Sequence, residues 1–134
     1  MDLKNKRKVK QFEEEELPSL KESMDDAAGF EVNLDIEWES LIDERVNEDL
    51  WFEGWTKVYF RPTIDAFEAI CSDELGREAL QADLESVVFR NEAGMTGDIS
   101  YEDGVLTVDK EPCTNMDKVD ERTESIVTLL ESNL

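Results

Sequence analysis

The chain has 134 residues, 35 acids against 14 bases for a net charge of −21, and no histidine. At this length it can bury one core and not two, and with a surface of roughly 7,000 Å² the excess is roughly one negative charge per 350 Å². Direct binding to nucleic acid or to an anionic membrane is disfavoured, because both draw on Lys and Arg to neutralise phosphate. The missing histidine excludes Ser-His-Asp and Cys-His catalysis and removes the commonest transition-metal ligand.

Residues 1–28 read as a charged tail. The first ten carry Lys4, Lys6, Arg7, Lys8 and Lys10 against Asp2, an acidic block follows at Glu13 to Glu16, and Pro18 comes next. Sequence blocked in charge in this way has little to bury, so a disordered or partly helical tail is expected ahead of one domain over 29–134. The alternative is a tail that docks its lysines on the acidic body. Lys6-Arg7-Lys8-Val9-Lys10 also resembles a short basic import signal, a pattern of low specificity.

Phe30 to Trp38 alternates apolar and polar without a slip, which predicts a strand with Glu31, Asp35 and Glu37 on its polar face. Ser40 with Asp43 reads as a capping box opening a short helix that Gly54 breaks. Trp55 to Phe60, rich in aromatic and β-branched residues and stopping before Pro62, reads as a second strand. Helices are expected from Thr63 to Cys71 and from Leu75 to Leu84, with Gly76 as a bend. Ser86 to Phe89 reads as a buried strand, and Asp98 to Tyr101 with Val105 to Val108 as a hairpin. A second capping box at Thr114 and Asp117 leads into an amphipathic C-terminal helix carrying Val119, Ile126, Val127 and Leu130. The fold expected is α+β: a mixed or antiparallel sheet of about five strands with helices packed on one face.

No catalytic, cofactor or metal motif emerges. Cys71 and Cys113 are 42 residues apart without a third ligand and read as free thiols. The run from Asp98 to Asp109 fails as a calcium loop, with Asp103 where glycine is needed and Asp109 where a bidentate glutamate is needed. The opening residues lack an apolar signal region and no stretch is long enough to span a bilayer, so the expectation is a cytoplasmic protein without cofactors.

What remains is an interface. Aromatic residues beside acids suit the capture of Arg and Lys, and the candidate partner-binding set is Glu31, Asp35, Glu37, Asp43, Glu44, Glu48, Asp49, Trp51 and Glu53. The function expected is an acidic binding module for a basic protein, as an inhibitor, a DNA mimic or an adaptor. A small carboxylate-dependent enzyme or an oligomeric scaffold is the alternative.

Overall fold

A computed structural model describes residues 1–134. The N-terminal residues form two helices. Helix α1, Leu3–Glu15, is capped by Asp2, whose carboxylate accepts the Asn5 N–H at 2.8 Å, and α2, Leu17–Ala28, carries Pro18 in its first turn and closes on Gly29 at φ 85°. The expectation that this region has little to bury is corrected: Phe12 and Met24 are fully buried, and Val9 and Ala28 nearly so. The basic run Lys6 to Lys10 is wound into α1 with Val9 in the core. Few apolar residues are present here, yet they fall on the inward stripe of each helix.

Strand β1 is Leu34–Ile36, shorter than the alternation from Phe30 to Trp38 predicts. The alternation is real in burial, with Val32 buried and Glu31, Asn33 and Asp35 exposed, but only three residues pair with a neighbour. No helix grows from Ser40. Residues Trp38–Leu41 and Glu48–Leu50 make single 3₁₀ turns, and the proposed box does not form: Ser40 Oγ donates to the Glu37 carbonyl at 2.7 Å while Asp43 holds Arg45.

The predicted second strand is helical. Helix α3, Trp51–Trp55, runs through a π-helical turn at Thr56–Phe60 into α4, Arg61–Ile70, with right-handed backbone at both junctions. The Arg61 N–H reaches five residues back to Thr56, and the next residue, Pro62, has no N–H to give, so the wide turn absorbs the proline without ending the helix. Gly54 is not a breaker. A Cβ there would sit 2.3 Å from the Pro112 carbonyl oxygen, so glycine lets the 112–113 loop lie directly on the helix.

Helix α5, Glu74–Asp83, is capped by Asp73 and includes Gly76 in its first turn. Strands β2, Ser86–Arg90, β3, Ile99–Glu102, and β4, Val105–Asp109, complete a four-stranded sheet in the order β1-β2-β4-β3, one strand fewer than expected. β1, β2 and β4 run parallel, and β3 returns antiparallel to β4 through Asp103 and Gly104, both at positive φ as a tight hairpin turn requires. Helix α6, Val119–Asn133, ends the chain; Thr114 and Asp117 do not cap it, and its cap position is Lys118.

The register draws two apolar rows across the sheet, Leu34–Val87–Leu106–Tyr101 and Ile36–Phe89–Val108–Ile99. In β2, β3 and β4 these side chains are buried, those from β1 at the edge partly so, and α4 packs with α2 and α6 over the same core. The row between them, Asp35–Val88–Thr107–Ser100, is exposed at both ends and half-buried in the middle. No helix is long and apolar enough to cross a membrane.

Phe12 meets the rings of Trp38, Phe52, Trp55 and Phe60 at centroid separations of 5.2 to 6.0 Å. Phe12→Ala is therefore expected to cost about 3–5 kcal/mol in urea denaturation. A loss below about 1 kcal/mol would mean that α1 is peripheral.

Candidate functional site

The parallel strands end together, and their C-terminal ends gather polar groups. Arg90, closing β2, places Nε 3.1 Å from Asp109 at the end of β4, 3.8 Å from Glu92 and 4.0 Å from Glu37, just past β1. Asp109 is buried and also accepts the N–H groups of Glu92 at 3.0 Å and Ala93 at 3.2 Å. Burial opposes its ionisation, but those two N–H groups and Arg90 outweigh it and hold the carboxyl below its usual range. Ser40 Oγ accepts the Asn91 N–H at 3.0 Å, tying the segment after β1 to the segment after β2.

Glu37 has the opposite environment. Burial and repulsion from Glu92 raise its pKa, and Arg90 only partly offsets them. One of its carboxylate oxygens and the Asn91 side-chain oxygen are buried without a hydrogen-bond partner.

Beside this cluster an open cleft of about 550 Å³ runs between the start of α1 and residues 39–45. Here Met1 and the first turn of α1 place donors on acids: the Met1 amine on Glu39 at 3.1 Å, Lys4 on Glu48 at 3.3 Å and the Asn5 side chain on Glu44 at 3.2 Å. Asp43 is buried, and its pKa is lowered chiefly by the Arg45 guanidinium hydrogen bond at 2.9 Å. Arg45 also reaches Glu111 at 3.9 Å.

The nine residues selected from sequence therefore divide. Glu31 and Asp35 are exposed at and just before β1 with no cation within 4 Å, and Asp49 is exposed in the second 3₁₀ turn in the same condition. Glu44 and Glu48 face α1, Glu53 pairs with Lys57 at 3.2 Å, and Glu37 and Asp43 belong to ionic clusters. Trp51, placed in the partner-binding set, is in the core instead: it is only 2% exposed, and its indole N–H donates to the Asp43 carbonyl at 3.1 Å. Trp55 is bound to the Leu41 carbonyl in the same way.

Arg90 and Glu92 carry no motif in the sequence, and Asp109 enters there only as a failed calcium position. Each follows an apolar strand segment, a signal that gains meaning only once the strands are known to run parallel, since polar groups of such sheets converge at the strands' carboxyl ends. Both thiols are free, and burial raises their pKa, to about 11 at Cys113, so they are protonated near neutral pH and poor nucleophiles. No group of three or more Cys, Asp or Glu is placed to hold a metal ion.

No protein-family model, no curated protein and no solved structure matches this chain.

The two carboxylates flanking Arg90 should respond oppositely to substitution. Asp109, with a lowered folded pKa, contributes stability that is present above its unfolded pKa near 4 and lost as pH falls through the folded value. Asp109→Asn should cost about 1–3 kcal/mol at pH 7 and progressively less in acid. Glu37, with a raised folded pKa, stabilises only below its unfolded value, and that contribution disappears as pH rises through the folded one. Glu37→Gln should accordingly be neutral or stabilising at pH 7. Thermal melts of both variants from pH 3 to 8 check the pair, and a like sign at pH 7 would refute the assignment.

Proposed function

We propose that this chain is an acidic binding module for a basic protein, with the surface around β1 and the segment that follows it as the contact. The observation that carries the reading is the uncompensated charge there: Glu31, Asp35 and Asp49 are exposed without a cation within 4 Å. In this reading the helices cover one face of the sheet and leave Asp35 and Ser100, with Glu102 nearby, on the other for a partner. The first turn of α1 supports it, because Lys4 and Asn5 already place donors on Glu48 and Glu44 as a partner's polar side chains would.

Negative potential over this surface accelerates encounter with a basic protein, and specific contacts then fix the complex. The same field opposes nucleic acid and anionic membranes. Two free cysteines suit a reducing compartment, and the cytoplasm is the location proposed.

The test is charge reversal at exposed, unpaired positions. With Glu31, Asp35 and Asp49 all changed to Lys, the melting temperature should stay within about 5 °C, since exposed substitutions are mild. The unmodified chain, immobilised, should capture basic proteins from lysate at low salt and release them near 1 M, where the Debye length is about 3 Å. The triple variant should capture little. An unchanged set of captured proteins would sink the reading.

A further inference from the structure

β1 lies at one edge of the sheet, and the phase of its pairing is fixed by two bonds: the Val87 N–H donates to the Asn33 carbonyl at 2.8 Å, and the Glu37 N–H to the Phe89 carbonyl at 3.0 Å. In a parallel ladder of that phase Asp35 exchanges its bonds with β2, while the N–H and C=O groups of Leu34 and Ile36 point away from the sheet. No loop bond takes up those four groups, and the only element packed extensively along β1 is β2. Unpaired backbone groups of this kind must meet water or a partner.

We propose that the outer edge of β1 receives an extended basic segment of the partner protein as a fifth strand. The inference rests on the basic-partner reading above and names the mode of contact. Side chains of an added strand would alternate between two environments. Those on the core side would lie beside Leu34 and Ile36, both half-buried, and those on the open side beside exposed Asp35, with Glu31 and Glu37 to either end. The strand that fits has apolar residues alternating with Lys or Arg.

Charge also decides against a second copy of this chain. Antiparallel pairing of two β1 edges through Leu34 and Ile36 sets Asp35 directly opposite Asp35 of the other copy, at the closest approach an antiparallel ladder offers. A carboxylate on a three-residue edge thus blocks self-pairing and favours a cationic strand.

The experiment uses the full chain and a nine-residue peptide alternating Lys and Val, titrated calorimetrically at 50 mM salt, with amide exchange of Leu34 and Ile36 followed by NMR. Two further peptides carry backbone N-methyl groups, one on its lysines and one on its valines. Binding of the parent peptide should slow exchange at Leu34 and Ile36 roughly tenfold or more at saturation. One methylated peptide should lose affinity by a similar factor and the other should not. Sensitivity at the valines means an antiparallel added strand, and at the lysines a parallel one. Asp35→Lys should abolish binding of the parent peptide, and Asp35→Asn should weaken it.

Equal affinity of all three peptides with unchanged exchange would overturn strand addition and leave ionic capture by the acidic surface standing. Failure of the parent peptide to bind, while lysate proteins are still captured, would overturn it as well. Loss of both peptide binding and lysate capture would remove the basic-partner reading itself.

Discussion

Phe12 is the contact on which the arrangement depends. Its ring lies edge-on to Trp38, Phe52 and Trp55 and tilted against Phe60, so one side chain from α1 joins the segment after β1 to the long helix that follows. Edge-to-face packing adds to area burial, and Phe12 makes it with no surface of its own exposed. A chain of net charge −21 needs such a centre. Its folded state crowds carboxylates together, and the favourable term large enough to offset that repulsion is apolar burial.

The same aromatic group organises the irregular stretch between Trp38 and Leu50. Much of that stretch has no regular secondary structure to take up its backbone groups. The indole N–H groups of Trp51 and Trp55, one turn apart on the helix, accept the job by donating to the carbonyls of Asp43 and Leu41. Tryptophan suits both roles, with a ring for the core and one donor for a buried carbonyl. The acidic segment is thus held by its backbone from beneath, and its side chains need not pair to keep it in place.

This accounts for what could and could not be seen in the sequence. The elements from Thr63 onward were legible because their signals are local: helical spacing in α4, α5 and α6, a short apolar β2, and a hairpin turn at Asp103–Gly104. The error at Trp55–Phe60 came from reading Gly54 and Pro62 as boundaries. Trp51, Trp55, Val58, Tyr59, Pro62, Thr63, Ala66, Phe67 and Ile70 are all buried and recur at helical spacing straight through both residues. Gly54 is required by a chain segment nearly sixty residues away, a tertiary constraint that no local pattern carries. In the N-terminal helices the charges dominated the composition, while a few residues on each inward stripe did the burying. The candidate site was legible only as charge. Which acids are spent on Arg90 follows from the parallel strand order, on Lys57 from the π-helical turn that carries it, and on Arg45 from the local turn at 43–45.

The division among the acids has a physical logic. Asp109 and Asp43 are buried and held by guanidinium and backbone N–H groups, so they are fixed parts of the framework. Carboxylates in that condition are already satisfied and have little to offer a partner. Glu31 and Asp35 lie where the chain enters the sheet at its edge, without a cation of their own. Their field adds to that of the whole molecule, so the potential at β1 is set by net charge as well as by neighbours. In the proposed reading, backbone donors and acceptors at the same edge would complement an extended chain of any sequence, whereas the carboxylates would select a cationic one. The two features lie on one three-residue strand because pairing with β2 turns the backbone groups of Asp35 inward, leaving those of Leu34 and Ile36 at the edge, while the Asp35 side chain is exposed.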